Sequence, residues 1–315
     1  MTRYLLADIG GTHTRVAVAD PGGSPQGVAR YRNRDLDGPA EALRRELAAR
    51  DGAGSRGWVV AAAVAGPVED GRVQLTNLGW SLSGYALARE AGAERAVLIN
   101  DYQALARALP ALDARDLTRL SGEVPAPGAA QAVLGPGTGL GVSGVVPAGT
   151  GWGVVAGEGG HVTLPPADAD EAALLEALRG ELGHVSAEAV LSGAGLSRLH
   201  RLLHGAERTP EAITAALAEA EPQAALTVDR FLAFLGNVAG NLALTLGARG
   251  GVYLAGGILP RLAAERLRAS PLHEQFLAKG RFRDYLAPIP LARIDDPEGA
   301  TLLGLRAWLD DLEAL

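Results

Sequence analysis

The sequence predicts an α/β protein of two lobes, a small α/β lobe and a larger α+β lobe with a cleft between them. Strands and helices alternate along the N-terminal third, which is typical of a mixed sheet covered by helices. The chain has 315 residues, more than the roughly 250 to 300 at which a single core stops growing. An apolar strand that enters a Gly/Thr turn and leaves as a second strand occurs twice, at 5–18 and 133–142. We expect one such turn in each lobe.

The two turns carry the clearest chemical signal. Residues 8–12 read Asp-Ile-Gly-Gly-Thr, and residues 137–141 read Gly-Thr-Gly-Leu-Gly. Because glycine has no Cβ, the backbone N–H groups of such turns can approach a polyanion closely, and a threonine hydroxyl adds one more donor. Two turns of this kind facing each other would hold the phosphates of a nucleotide from both sides.

The first lobe is predicted from apolar runs that end at glycine, proline or a capping residue. After the opening hairpin we expect a helix at 39–50, strands at 58–64 and 72–75, a helix at 84–91 capped by Ser83, a strand at 95–99 and a helix at 102–109. The run at 58–64 is apolar throughout, which indicates a fully buried strand. We assign residues 1–110 to this lobe and expect a closing helix at 300–312, within the segment 298–315, to complete it.

The second lobe is predicted at 111–297. A Pro/Gly/Ala-rich passage at 122–130 indicates a linker that leads into it. Helices are expected at 168–182, 187–204, 210–220 and 223–246, and strands at 251–255 and 289–294. Asp168 is the predicted N-cap of the first of these helices, with Glu171 three residues on. Glycines and asparagines interrupt the apolar stretch 231–246, which favours a buried helix over a membrane span.

Composition excludes several classes of function. The net charge of −7 argues against nucleic acid as the main partner. The absence of cysteine excludes disulfides, thiolate metal sites and cysteine nucleophiles. Lys279 is the only lysine among 29 basic residues, and it lies in neither a Walker G-K-[ST] motif nor the strand context of a protein kinase. If this protein handles ATP, it does so without a phosphate-binding lysine.

The start of the chain carries no sign of a secretory signal. Residues 1–4 lead directly into the first predicted strand, without a charged region, an apolar core or a small-residue cleavage site. We therefore expect a cytoplasmic protein that does not associate with membranes.

Three groups of polar side chains are candidates for a substrate site. Asn100 and Asp101 directly follow a strand, where open α/β sheets bind their ligands, although aspartate at a helix start is also a common N-cap. Glu158 and His161 lie among three glycines, whose entropic cost is justified where the backbone approaches a ligand, and their polar groups suit the vicinal hydroxyls of a polyol. A flexible turn with a solvated glutamate is the alternative there. Glu188, taken alone, reads as a first-turn helix acid.

Two further patterns are weaker. His200 and His204 lie four residues apart on one predicted helix, which is the spacing of metal ligands, but no third ligand is near in sequence and a structural role is favoured. Residues 139–144 match the dinucleotide fingerprint G-x-G-x-x-G. Because Val-Val-Pro follows in place of a helix, the context that this fingerprint needs is missing.

Taken together, these motifs resemble the bacterial glucokinase family, within the actin/Hsp70/sugar-kinase superfamily. The resemblance covers nearly the whole chain in order and spacing. It rests on seven segments, at 8–12, 75–81, 99–102, 137–141, 157–161, 186–193 and 255–261. It implies the two-lobed actin-like ATPase (ribonuclease H-like) fold and a homodimer. The Cys-rich zinc motif of the related repressor/open-reading-frame/kinase group is absent.

The resemblance also implies a role for each matching residue. Asp101 would be the catalytic base, and Asp8 would hold Mg²⁺ through water. The residues implied to bind ATP are Asp8, Ile9, Gly10, Gly11, Thr12, Gly137, Thr138, Gly139, Gly256 and Gly257. The residues implied to bind glucose are Thr76, Asn77, Asn100, Asp101, Glu158, His161 and Glu188. His13 stands where the family usually has asparagine, which leaves a side-chain phosphate contact there open.

The implied reaction is ATP-dependent phosphorylation of glucose at its 6-hydroxyl, the step that admits glucose to glycolysis. Phosphoryl transfer needs mainly positioning and charge neutralisation, which two backbone turns and Mg²⁺ can supply. An aspartate with an ordinary pKa near ~3.9 is ionised at neutral pH and can accept the hydroxyl proton.

The alternatives are a kinase of mannose, fructose or N-acetylglucosamine, a non-catalytic sugar sensor on the same fold, and an actin- or chaperone-like ATPase. The sensor would need a DNA-binding segment before residue 5, and the cluster of sugar-type residues argues against the ATPase.

Overall fold

The structure is a computed structural model that describes residues 2–51, 57–75 and 78–314. Its internal contacts divide the chain into two units. Unit 1 comprises Met1–Leu112 and Asp296–Leu315, and unit 2 comprises Asp113–Asp295. These divisions lie within two residues of those predicted from the sequence, after residues 110 and 297. The linker predicted at 122–130 is wrong, because that passage lies inside unit 2, where a Cβ at Gly122 would collide with the carbonyl oxygen of Ile289.

The strands in chain order are β1 Arg3–Ile9, β2 His13–Ala19, β3 Gln26–Arg32, β4 Trp58–Val64, β5 Arg72–Leu75, β6 Trp80–Ser83, β7 Arg95–Asn100, β8 Leu117–Ser121, β9 Gln131–Pro136, β10 Leu140–Ala148, β11 Gly151–Val155, β12 Val252–Leu254 and β13 Leu291–Ile294.

The α-helices in chain order are α1 Pro39–Asp51, α2 Gly84–Ala91, α3 Asp101–Ala108, α4 Ala169–Leu182, α5 Ala187–Val190, α6 Gly193–His204, α7 Pro210–Ala218, α8 Pro222–Leu246, α9 Ala264–Ala269, α10 Leu272–Leu277, α11 Arg283–Leu286 and α12 Pro297–Glu313.

The main sheet of unit 1 has the strand order β3-β2-β1-β4-β7. β1, β2 and β3 are antiparallel, whereas β4 and β7 run parallel to β1. Side chains alternate between the two faces of β1, as the period of a strand requires. Leu5 and Ile9 pack in the core that α1 and α2 cover, and Tyr4 and Leu6 pack in the core that α3 and α12 cover. β4 is buried along its whole length, which confirms the prediction for 58–64.

The main sheet of unit 2 has the order β11-β10-β9-β12-β13-β8. β9, β10 and β11 are antiparallel, and β12 and β13 run parallel to β9. The first five strands of this list therefore repeat the order and directions of the sheet in unit 1, with β8 added at one edge. The first glycine turn connects β1 to β2 and the second connects β9 to β10, which are equivalent hairpins of the two sheets, so the motif that occurs twice in the sequence marks a repeated architecture.

Local signals place most helix ends as predicted. The hydroxyl of Ser83 accepts a hydrogen bond from Ala86 N, and the carboxylate of Asp168 accepts one from Glu171 N, which confirms both N-caps. The single helix predicted at 187–204 is wrong. α5 ends before Leu191, and the hydroxyl of Ser192 accepts a bond from Gly195 N (3.1 Å) to start α6. Serine competes for backbone N–H groups in this way and breaks the helix.

The apolar helix α8 is buried in unit 2. Most of its residues between Ala224 and Ala243 are inaccessible to solvent, and their apolar side chains join the core cluster of that unit. This confirms the interpretation of 231–246 as a core helix. Across the described ranges, no helix has both the length and the apolar character needed to span a membrane.

We expect the contact between α3 and α12 to depend on Gly304. A Cβ at this position would collide with the carbonyl oxygen of Ala104, so Gly304→Ala should lower the free energy of unfolding by about 1 to 3 kcal/mol. Gly180→Ala in α4 is the control, because a Cβ there meets no described atom within 4 Å and should stabilise by about 0.5 to 1 kcal/mol. Thermal unfolding of both variants is the measurement. Equal melting temperatures for Gly304→Ala and the wild type would contradict the close helix contact.

Candidate active site

The first glycine turn joins β1 to β2 in unit 1. Gly10 N donates to His13 O (3.0 Å), which closes the turn and leaves Gly11 and Thr12 exposed at its tip. A Cβ at Gly11 would meet no described atom within 4 Å. The tip is therefore an open backbone surface of the kind that suits an anion.

Asn33 holds this turn in place, and the sequence analysis did not identify it. Its amide nitrogen donates to Gly10 O (2.7 Å), its amide oxygen accepts from Thr14 Oγ1 (2.9 Å), and its backbone N donates to Thr12 O (2.9 Å). The side chain is buried, with 4% of its surface exposed. A buried amide with both ends bonded fixes its neighbours. No signal in the sequence separates Asn33 from the Arg-rich surface segment around it.

Asp8 lies beside Arg15, its partner in the antiparallel pairing of β1 and β2. Arg15 Nη1 donates to Asp8 Oδ2 (3.0 Å), and the other guanidinium nitrogen of Arg15 contacts Glu298 at the start of α12. Burial raises the pKa of the Asp8 carboxyl above its usual value, and the charge and hydrogen bond of Arg15 oppose that shift. Arg15 thereby favours the ionised form of a largely buried carboxylate.

The surroundings of Asp8 are suited to a Mg²⁺ ion that keeps its water ligands. Among the residues that the structure describes, no three or more His, Cys, Asp or Glu side chains are grouped so that they could hold a metal ion. Mg²⁺ commonly keeps several waters and binds through one carboxylate together with substrate phosphates. A single carboxylate at the first turn therefore fits an ion held through its water shell, and does not fit a cage of protein ligands.

His13 adds no positive charge to the first turn at neutral pH. Its pKa is lowered, first by loss of hydration and then by neighbouring arginines, of which Arg30 is the foremost. A cleft of about 570 Å³ opens beside the ring. It is lined by Gly11, Thr12, His13, Arg32, Asn33, Arg34, Leu36, Leu78 and Trp80.

Asn100 and Asp101 lie where β7 ends and α3 begins. Asn100 is the N-cap: its side-chain oxygen accepts from Tyr102 N (3.0 Å) and Gln103 N (3.2 Å), and its amide donates to Gly66 O (3.1 Å). Asp101 is the first helical residue, so the interpretation of Asp101 as the cap is wrong. Its half-buried carboxylate also accepts from Tyr102 N (3.0 Å). Thr76 and Asn77, predicted to contact sugar, lie outside the described residues.

The second glycine turn joins β9 to β10 in unit 2. Gly137 N donates to Gly139 O (2.8 Å), and Gly193 N donates to Gly137 O (2.9 Å), so the turn is tied to the start of α6. Leu140 N, at its far end, donates to the carboxylate of Glu188 (2.9 Å). Like the first turn, this one is fixed by a polar side chain from another part of the same unit.

Gly256 and Gly257 lie against this second turn. Gly256 has a φ of +88°, and a Cβ there would collide with the carbonyl oxygen of Pro136. Ile258 N reaches the same oxygen at 3.4 Å. Gly257, in contrast, is exposed, and a Cβ there would meet no described atom within 4 Å. Gly256 and Gly257 therefore lie next to Gly137, as expected of residues that bind one ligand together.

Two of the three glycines around Glu158 and His161 have a packing role, whereas a Cβ at Gly157 would meet no described atom within 4 Å. A Cβ at Gly159 would lie 2.7 Å from Val142 Cγ1, and one at Gly160 would collide with Leu140 O. These two glycines allow the segment 157–161 to pack on β10 directly after the second turn; they are not explained by approach to a ligand. Glu158 and His161 remain exposed on this segment, and Glu158 O accepts from His161 N (3.0 Å).

The two helix histidines make structural contacts. His200 is fully buried, and its Nδ1 lies 3.0 Å from Thr227 Oγ1. His204 Nε2 lies 3.1 Å from the same hydroxyl. Burial lowers the pKa of His200, so it is neutral at physiological pH. This pair belongs to the packing of α6 on α8.

Comparison with known proteins gives consistent results over the whole chain. The family model "Glucokinase" matches residues 5–312. The chain is 43% identical to a glucokinase of Paramagnetospirillum magneticum, over 98% of this chain and 97% of that protein. The crystal structure of a glucokinase from an Antarctic psychrotroph has a TM-score of 0.87 and 32% identity, over 99% of both chains. A ROK family glucokinase from Streptomyces griseus, in complex with glucose and AMPPNP, shares the fold at a TM-score of 0.65 and 18% identity, over 97% of this chain and 98% of that one.

Two α/β units that share a five-strand order, each with a glycine turn in the equivalent hairpin, define a sugar kinase of the two-lobed actin-like fold. Within that class, the chain belongs to the glucokinase family. It is therefore a phosphoryl-transferring enzyme.

The different surroundings of the two adjacent glycines can be tested directly. We expect Gly256→Ala to lower the free energy of unfolding by about 1 to 3 kcal/mol, because its φ is positive and its Cβ would strike Pro136. Gly257→Ala is the matched control and should change it by less than about 0.5 kcal/mol. Thermal and denaturant unfolding of the two variants is the measurement. If both variants unfold like the wild type, the close approach of Gly256 to the second turn is wrong.

Proposed function

We propose that this protein transfers the γ-phosphoryl group of ATP to the 6-hydroxyl of D-glucose, giving glucose 6-phosphate and ADP. The observation that carries the proposal is the pair of glycine turns, each in the equivalent hairpin of its sheet and each fixed by a buried or half-buried polar side chain. Membership of the glucokinase family supports glucose as the acceptor. The Streptomyces griseus relative, which holds glucose and AMPPNP, supports ATP as the donor.

In this proposal the two turns bind the phosphates of ATP. Gly11 and Thr12 present the first set of backbone donors, and Thr138 and Gly139 present the second. Gly10 and Gly137 shape the turns, because their N–H groups donate to His13 O and Gly139 O. Gly256 and Gly257 approach the adenosine, which the exposed position of Gly257 supports. Oriented backbone N–H groups offset phosphate charge without a lysine side chain. Mg²⁺, associated through water with Asp8, would offset charge on the phosphoryl oxygens.

Glucose is bound by the polar side chains that the family resemblance implies, which are Asn100, Asp101, Glu158, His161 and Glu188. Glu158 and His161 are exposed on a segment whose backbone is packed firmly on β10, so they are available to a ligand and still well positioned. Carboxylates accept from sugar hydroxyls, and an imidazole can either donate or accept.

Asp101 is the proposed catalytic base. It lies at the N-terminus of α3, where the helix dipole favours a negative charge and thus the ionised form that accepts a proton. Asn100 supplies the cap to Gln103 N, so the Asp101 carboxylate is not needed for that bond. Asp101 takes the proton of the 6-hydroxyl as the hydroxyl oxygen attacks the γ-phosphorus. The bond between the γ-phosphorus and the oxygen that leaves with ADP breaks at the same time.

The proposal includes the setting in which the enzyme works. ATP and free glucose are both available in the cytoplasm, where we place this protein as an enzyme of glycolysis. A homodimer, implied by the resemblance to the family, is also part of the proposal.

Replacing Asp101 tests the assignment of the base. We expect Asp101→Asn to lower kcat by about 10² to 10⁴, with a much smaller change in glucose affinity, because the amide keeps hydrogen bonding but cannot accept the proton. Coupled measurement of ADP release and calorimetric titration with glucose give the two values. Asp284→Asn, at an exposed aspartate in α11, is the matched control and should retain wild-type kcat. A near-normal kcat for Asp101→Asn would refute the assignment.

A further inference from the structure

We propose that Glu188 positions the second glycine turn in addition to contacting glucose, so that one carboxylate links the sugar site to the binding of nucleotide phosphates. The inference rests on the proposed function for the identity of the two ligands. The positioning role itself rests on contacts within unit 2.

The carboxylate of Glu188 is in direct contact with the turn. Its Oε2 accepts a hydrogen bond from Leu140 N (2.9 Å). A Cβ at Gly139 would collide with the same oxygen, so the carboxylate lies against the Cα of that glycine. The absence of a side chain at Gly139 thus has a second cause besides access for phosphate: it makes room for Glu188.

The helix that carries Glu188 is fixed at both ends. Ser186 Oγ accepts from Ala189 N (3.1 Å) at its start, and Ala187 O accepts from Leu191 N (2.8 Å) at its end. Ala187 N also donates to Val162 O (2.9 Å), directly after the sugar-binding candidate His161. Glu188 is therefore held between the proposed sugar segment and the second turn.

Leu140 is contacted from two directions. Glu188 accepts its N–H, and Gly160 of the sugar segment packs on its carbonyl oxygen. With the Leu140 N–H directed to Glu188, Thr138 and Gly139 carry the N–H groups that the proposed function assigns to phosphate. Their direction depends on where the end of the turn is held, and Glu188 is the side chain that holds it.

Two oxygens allow one carboxylate to serve both sites. Oε2 holds Leu140 N, and Oε1 can accept from a sugar hydroxyl, because each carboxylate oxygen is an acceptor. A sugar hydroxyl bound at Oε1 restricts the side chain and draws its negative charge away from the phosphates. Both effects favour nucleotide binding, and by linkage bound nucleotide favours glucose by the same factor.

A pair of variants that lack the same charge isolates the positioning role. Glu188→Gln keeps an acceptor oxygen for Leu140 N, whereas Glu188→Ala keeps none, and neither carries the negative charge. In the absence of sugar, we expect Glu188→Ala to bind AMPPNP with Mg²⁺ about tenfold more weakly than Glu188→Gln does. The difference comes from the hydrogen bond of Leu140 N, which does not require the charge, and from the ordering of the second turn by that bond. Calorimetric titration gives both affinities. Glu207→Ala, at an exposed glutamate of unit 2 outside both proposed sites, should bind AMPPNP like the wild type.

Hydrogen exchange supplies a readout that does not depend on activity. The Leu140 amide should exchange at least about tenfold faster in Glu188→Ala than in Glu188→Gln or the wild type. If Glu188→Ala fails to fold, Glu188→Asp replaces it, because its shorter side chain withdraws the carboxylate from Leu140 N; it is then compared with the equally charged wild type. Equal AMPPNP affinities for Gln and Ala, with unchanged exchange at Leu140, would overturn the positioning role.

The link to glucose is tested separately. Saturating glucose should tighten AMPPNP binding at least about threefold in the wild type and in Glu207→Ala, and this gain should vanish in Glu188→Ala. An equal gain in all three proteins would refute the link. If the wild type does not bind glucose at all, the proposed function fails, whereas the difference between Gln and Ala in AMPPNP binding and in exchange would still establish the positioning role.

Discussion

The proposed site depends on one constraint: the backbone N–H groups of two glycine turns bind the phosphates, with no lysine in a phosphate-binding motif to assist them. The single lysine, Lys279, donates to Asn237 in unit 2, and burial lowers its pKa. A mobile glycine loop would lose most of its binding free energy to ordering. Glycine turns that bind anions must therefore be held in place by their surroundings.

In each unit, a polar side chain from a distant part of the sequence fixes the glycine turn of an equivalent hairpin. Asn33 bonds the carbonyl oxygen of Gly10 in the first turn, and Glu188 accepts the N–H of Leu140 in the second. In unit 1 the residue that fixes the turn is a neutral amide, and both ends of that amide are already bonded to Gly10 and Thr14. In unit 2 the residue that fixes the turn is a carboxylate, which in the proposed function also accepts from a sugar hydroxyl. Because Asn33 is an amide and Glu188 is a carboxylate, only Glu188 is expected to link the binding of both substrates.

Features that depend on neighbouring residues could be predicted from the sequence. The two turns, the buried strand β4 and the caps at Ser83 and Asp168 all follow from local residue patterns. Features that depend on distant contacts could not. Asn33 contacts Gly10 from 23 residues away, and Glu188 contacts Leu140 from 48 residues away. The glycines at 159 and 160 were correctly singled out, but their cause is packing on β10, which only the assembled sheet reveals.

The most direct test of the account is to identify the product that the purified protein forms from glucose, ATP and Mg²⁺ by ³¹P and ¹³C NMR. The account predicts one phosphate ester, at C6 of glucose, formed in equal amount with ADP, and negligible ADP without sugar. Release of inorganic phosphate independent of glucose, or no ester on glucose while another hexose is phosphorylated, would contradict it.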